Sequence, residues 1–294
     1  MRMINFSLLV QFLFSGLTMG SIYALLAVSL VIVYNVSRVI CFAQGEFFVF
    51  GALMITWLTS LGLSTPIAFL LTILITSIMG AVIERAFIRP VSSSSEGTII
   101  VMTVGISLTL MGVALLAWGR EAHALLPFSK GEPLWILGAC LPIQVVWIIG
   151  ATVLVLVVIW FFFNKTLIGI AMRACAENRL AANLVGISVW KMNILAWAWG
   201  SGLGALAGMV VAPLLFTQYA SGTMPMLKGF IAMSIGGYSV LGTVIGGFVL
   251  GVIEAYSIGL VSSQFSDAIV FTVLIAALVT RPQGVFGGLK KAGI

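Results

Sequence analysis

The chain has 294 residues, 61% of them hydrophobic and 7% charged, with a formal net charge of +6 and a mean hydropathy of +1.22. So few charges in so apolar a chain exclude an ordinary soluble protein, and the lack of short alternating segments of about ten residues excludes a transmembrane β-barrel. What remains is an all-α, polytopic helical integral membrane protein, whose positive charge reports orientation and not nucleic-acid binding.

Apolar runs near the ~20 residues needed to cross hydrocarbon recur along the chain. The first is expected at about 8–34, too long for a cleaved leader and so read as a retained span, and the second at about 42–62. A third covers about 66–84, opened by Pro66, and a fourth about 98–118. The fifth and sixth fall at about 142–163 and 192–215. The Gly-rich segment 227–280 fits three shortened crossings, near 228–241, 243–261 and 266–280, or one full span plus a re-entrant pair. About 8–9 transmembrane segments are therefore expected, in one membrane domain over residues 1–294.

Charge orients them. Arg85 and Arg89, then Lys165, Arg173, Arg179 and Lys191, then Arg281, Lys290 and Lys291 fall in three segments between or after spans. The positive-inside bias puts all three in the cytoplasm. Residues 119–141 then lie outside, and an odd number of tail crossings is needed, which favours three over two. The N-terminus comes out external, against the mild opposition of Arg2.

Within this array three polar features stand out. The stretch 164–191 is too polar to span, and its Ala and Leu content favours a short helix. On a helical wheel Leu180, Leu184 and Ile187 share one face, with Arg173, Glu177 and Asn183 largely elsewhere. Gly186 is placed to end or bend it. Such an amphipathic helix either lies on lipid headgroups or docks in a groove of a soluble partner. The second feature is "NVSRVICFAQGEF" (35–47), where Asn35, Gln44, Gly45 and Glu46 interrupt apolar sequence beside Arg38. It is either a helix break lining a wet cavity or a short cytoplasmic turn with Glu46 in the first turn of the second span. The third is Glu254, an acid within a span, expected to pair with Lys228 or an arginine, or to face a pathway.

Smaller signals follow. Gly200, Gly204 and Gly208, then Gly242 and Gly246, then Gly247 and Gly251, have the spacing that permits close helix contact. Glu84 and Arg85 are expected as interfacial anchors, and His123, the only histidine, as a surface residue. Cys41, Cys140 and Cys175 lack metal-ligand spacing and are read as packing residues. No catalytic set and no G-x-x-x-x-G-K-[ST] phosphate loop occurs, so the chain itself is not expected to be an enzyme.

Several motifs, in order, resemble one family. "GLTMGSIYALLAVSL" (16–30), "FAQGE" (42–46), "ERAFIRP" (84–90), "TVGISL" (103–108), "RACAENRLAANLVGI" (173–187), "GGYSVLGTVIGG" (236–247) and "RPQGVFG" (281–287) are similar to segments of ABC importer permeases for branched-chain amino acids. Relatives of that family carry urea, amides or aromatic acids. Gln44 stands where members usually carry His, and Cys41 where many carry Asn.

The resemblance implies a single permease domain with a cytoplasmic coupling loop at about 164–191, translocating a small amino-acid-like solute and needing no cofactor. It implies four kinds of partner: two separate ATPase subunits, a second and different permease, an extracytoplasmic solute-binding protein, and membrane lipid. The location implied is the inner membrane of a bacterium or archaeon, with the C-terminus cytoplasmic. Arg173, Ala174, Glu177, Ala182 and Gly186 are the expected ATPase-coupling residues; Asn35, Gln44, Gly45, Glu46 and Glu254 are the pathway candidates. The alternative is a stand-alone secondary transporter or channel for a small polar solute.

Overall fold

The structure is a computed structural model that describes residues 6–92, 94–129, 131–281 and 284. Arg2, Lys290, Lys291 and most of the 281–287 motif lie outside the described residues. The first four helices are α1 (Phe6–Ser37), α2 (Gln44–Ser60), α3 (Thr65–Ile83) and α4 (Glu96–Trp118). A small antiparallel hairpin follows, β1 (Leu134–Ile136) and β2 (Ala139–Leu141). Then come α5 (Ile143–Lys165), α6 (Leu167–Glu177), α7 (Arg179–Leu184) and α8 (Val189–Val211). The tail forms three helices, α9 (Thr223–Ile235), α10 (Val240–Leu260) and α11 (Ser266–Thr280).

Among the described residues, seven segments are long and apolar enough to cross a membrane, and α9 is a shorter apolar helix. The protein is thus a polytopic helical membrane protein. Local chemistry sets the helix ends: Ser95 Oγ accepts from the Thr98 N–H at the start of α4, and Ser239 Oγ from the Gly242 N–H at the start of α10. Gly119, at φ +79, ends α4.

The chain divides into two compact units, 1–28 with 126–152 and 227–294, and 29–125 with 153–226. In the second unit α8 lies directly on α2 and α3. A side chain at Gly208 would strike the Phe48 carbonyl, one at Gly51 would strike the Ala205 backbone, and one at Gly80 would strike Ser201. Phe47, Phe48 and Trp197 are fully enclosed between these helices. Many large apolar side chains of α4 and α5, among them Val101, Leu108, Leu154 and Val157, point outward, as suits helices in contact with lipid.

In the first unit the same device recurs. The start of α1 meets α10 through Gly16, Gly20, Gly247 and Gly251, with backbone against backbone. The β-hairpin, which hydropathy did not foretell, turns through Leu137 and Gly138, both at positive φ. Gln11 of α1 holds it with two bonds, accepting from the Cys140 N–H at 2.9 Å and donating to the Cys140 carbonyl at 3.0 Å.

Two side chains are less exposed than the sequence suggests. Glu84 is buried within the protein, where a wide π-helical turn over Glu84–Ile88 turns it and Ile88 inward while Arg85 stays exposed. His123 is half-buried and pairs by backbone with Thr217, at 2.9 and 2.8 Å, so it pins one end of the second unit.

Small residues at these contacts set a sharp expectation for substitution. Gly208→Val should force α2 and α8 apart, costing ~1–3 kcal/mol or more, whereas Gly105→Val, which meets no neighbour, should be near neutral. Melting of the detergent-purified protein checks this; equal midpoints for the two variants would contradict the packing described.

Candidate functional site

The polar stretch between α5 and α8 folds as two short helices, not one. Thr166 Oγ1 caps α6 by accepting from the Gly169 N–H at 3.0 Å. Gly169 has no room for a side chain, because α6 folds back onto the Phe162 carbonyl and Phe163. Met172 and Cys175 face inward and are fully buried, while Arg173 and Glu177 are exposed and Ala174 is half-buried. Burial pushes the Cys175 thiol pKa up, against the opposing pull of the Arg179 guanidinium, which suits a packing residue.

Asn178 is the reason for the break. Its backbone is extended, and its Oδ1 accepts from the Ala181 N–H at 3.0 Å, so it stops α6 and starts α7. Asparagine inside an expected helix is the signal that could have marked this. Gly186 then ends α7 at φ +86, with the Ile187 N–H reaching the Ala182 carbonyl and the Gly186 N–H the Asn183 carbonyl.

The wheel thus applies only to α7. There Ala182 is the inward residue, while Leu180 and Leu184 are 80% and 88% exposed and Val185 is exposed beside them. The loop is held in place by its polar residues. Arg173 Nη1 donates to Asn164 Oδ1 at 2.9 Å, and Arg179 Nη2 to Asn193 Oδ1 at 3.1 Å. Arg89 stacks over the Trp190 ring at 4.8 Å, which brings the 84–91 segment to the same end of the unit.

The second feature, residues 35–47, is a turn between α1 and α2 with a buried start to α2. Arg38 adopts φ +59, a left-handed conformation that costs a residue with a side chain about 1–2 kcal/mol. Gln44 and Glu46 are 1% and 2% exposed. Gln44 Nε2 donates to the Gly200 carbonyl at 2.6 Å, and Ser107 Oγ donates to Glu46 Oε1 at 3.1 Å. Gln44 Oε1 and Glu46 Oε2 find no donor among the described residues. Gly45 packs backbone to backbone on Gly222, and Asn35 sits half-buried near the end of α1. Glu46 is in the first turn of α2, where the free N–H groups favour an anion.

Glu254, in the first unit, has a fuller set of partners than its sequence suggested. Lys228 Nζ of α9 lies 2.7 Å from Glu254 Oε1 and 2.9 Å from Asp267 Oδ1 of α11. Tyr23 of α1 donates its hydroxyl to Glu254 Oε2 at 2.7 Å, and its ring lies 5.8 Å from the Lys228 ammonium. One cation therefore ties four helices of this unit together. Asp267 and Tyr23 carried no distinguishing sequence signal, because an acid at a helix start and a tyrosine in a span are both commonplace.

The second unit also has a cleft of about 420 Å³ lined by residues of α3, α5 and α8, among them Ile73, Val158, Leu195 and Leu206. Only Ser77 and Trp199 bring polar side-chain atoms to it. A zwitterionic solute would leave its charges unpaired there, so the cleft does not suit one.

Comparison with known proteins gives a consistent picture. The family model described as branched-chain amino acid transport system / permease component matches residues 12–278. The high-affinity branched-chain amino acid transport system permease protein LivH of Salmonella typhimurium is 32% identical, covering 96% of this chain and 97% of that protein. The corresponding protein BraD of Pseudomonas aeruginosa is 34% identical, over 94% and 95%. Among solved structures, PsaBC from Streptococcus pneumoniae in complex with Fab matches over 96% of this chain and 95% of that one, with TM-score 0.52. At 12% identity that likeness speaks to the fold alone.

The ion-pair cluster ranks its own substitutions. Lys228→Met should cost about 3–5 kcal/mol, since it strands a buried carboxylate. Asp267→Asn should cost at most about 1 kcal/mol, because that side chain is 48% exposed. Adding Glu254→Gln to Lys228→Met should recover part of the loss. Thermal melts of the purified protein check this order, and Asp267→Asn matching Lys228→Met would contradict it.

Proposed function

The chain belongs to the family of branched-chain amino acid transport system permease components, and on that premise we propose that it is the membrane-spanning subunit of an ATP-driven importer. Its cargo is a small amino-acid-like solute, with branched-chain amino acids first in line, as the names of its relatives suggest. Lacking a phosphate loop, it would take its energy from two separate ATPase subunits. A second permease completes the pathway, and an extracytoplasmic binding protein delivers the solute. The chain would sit as one permease domain in the inner membrane of a bacterium or archaeon, with its C-terminus in the cytoplasm.

The observation that carries this reading is the outward face of α7. Leu180, Leu184 and Val185 stand exposed on a loop whose other side is clamped at Met172, Cys175 and Ala182. A soluble ATPase can grip such a face, and the polar anchors of the loop carry the force inward. Arg173, Ala174, Glu177, Ala182 and Gly186 are assigned to this coupling element. Its position supports the orientation: Arg89, Arg173, Arg179 and Lys191 gather at one end of the unit, as the cytoplasmic end requires.

We assign the solute pathway to the start of α2. Asn35, Gln44, Gly45 and Glu46 bring polar groups to the buried start of α2, and the unmatched acceptors of Gln44 and Glu46 are costly unless they serve a function. Glu254 remains a pathway candidate, although its bonds to Lys228 and Tyr23 favour a holding role.

Purification from native membranes in mild detergent should recover an ATPase and a second permease with this chain, and reconstituted vesicles should take up labelled leucine only with ATP and a binding protein. Leu184→Glu should weaken ATPase capture by on the order of 2 kcal/mol while the chain still inserts. Gly186→Val, strained at its positive φ, should insert yet lose solute-stimulated ATP hydrolysis. Recovery of the chain alone, with uptake independent of ATP, would point instead to a secondary transporter.

A further inference from the structure

Arg38 makes a long-range contact with the end of α6. Its Nη2 donates to the Ala176 carbonyl at 2.6 Å, across 138 positions of sequence. Ala176 lies in the last turn of α6, where the final carbonyls have no donor within the helix. A cation is favoured at that negative end of the helix dipole. Arg38 also holds the α1–α2 turn in its left-handed conformation, closing its N–H on the Tyr34 carbonyl at 2.7 Å.

The turn it holds leads straight to the buried start of α2. Thr103 Oγ1 of α4 donates to the Ile40 carbonyl at 3.3 Å. Gln44 binds Gly200 of α8 and Glu46 binds Ser107 of α4. One end of this short segment is therefore bonded into the helix array, and the other is bonded to α6. An exposed guanidinium bridges the turn and α6.

An exposed bond of this kind adds little to stability, and it is made by a residue whose backbone conformation glycine would adopt without strain. Both facts fit a part that must move better than one that merely braces. We propose that Arg38 is a positioning residue that transmits displacement of α6 to the polar start of α2, linking ATPase action to the solute pathway. It does not touch the solute. The inference rests on the coupling role assigned to α6.

The test uses the whole complex with its ATPase, second permease and binding protein. Arg38→Gly removes the guanidinium while keeping the turn conformation, so the complex should assemble and melt as before. Labelled leucine taken up per ATP hydrolysed should fall by about tenfold. Arg38→Lys, which keeps a cationic donor, should restore part of it. Arg38→Asn, also tolerant of positive φ, repeats the test independently of glycine's flexibility.

An unchanged uptake-to-ATP ratio in Arg38→Gly and Arg38→Asn would overturn the proposal. So would loss of the assembled complex in both, which would make Arg38 a folding residue. Absence of any ATPase from the wild-type complex is a different failure, since it would remove the coupling role of α6 itself.

Discussion

A helix in hydrocarbon gains little by hiding leucine, because lipid tails are as apolar as any protein core. Helices that pack there do so through contact area, and contact area requires close approach. The structure meets this constraint with glycine at the crossing points. Gly208 lies on Phe48, Gly51 on Ala205, and Gly251 on Gly20, each with backbone where a side chain would otherwise be. Because α2 and α8 are pressed together in this way, the start of α2 is sealed, and Gln44 reaches the Gly200 carbonyl. The polar groups at 44–46 are thus a consequence of the packing as well as a candidate for function.

Charges are handled by the same economy of space. A lone buried carboxylate at Glu254 would be costly, and the protein answers with one lysine shared between two acids, with a tyrosine hydroxyl completing the set. At the end of the second unit the opposite solution appears. Arg173, Arg179 and Arg89 are spent on Asn164, Asn193 and Trp190, which fix a loop whose outer face is apolar. Polar residues anchor the loop and leucines stand exposed on it, an inversion of the usual surface pattern that suits the docking role proposed for it.

The sequence made the membrane helices legible because their length is set by the bilayer and their ends by polar residues. The helices at Glu96–Trp118 and Ile143–Lys165 fall within a few residues of the segments expected at 98–118 and 142–163. Features that depend on local backbone chemistry were not legible in this way. The π-helical turn at Glu84–Ile88 has no sequence signature, and the hairpin at Leu134–Leu141 is too short for alternation to register. The break at Asn178 was within reach, since a capping residue stood in the middle of the expected helix, but alanine and leucine around it dominated the propensity. Of the candidate site, Glu254 and its pairing with Lys228 could be anticipated from the cost of a charge in a span. Asp267 and Tyr23 could not, because only the three-dimensional arrangement brings their helices to the same lysine.

On the proposed function, the outward face of α7 is gripped by an ATPase. A photo-activated crosslinker attached through Leu184→Cys, fired in native membranes and followed by mass spectrometry, tests it most directly. The expected product is a covalent adduct between position 184 and an ATPase subunit. Adducts found only with lipid, or only with another copy of this chain, would contradict it.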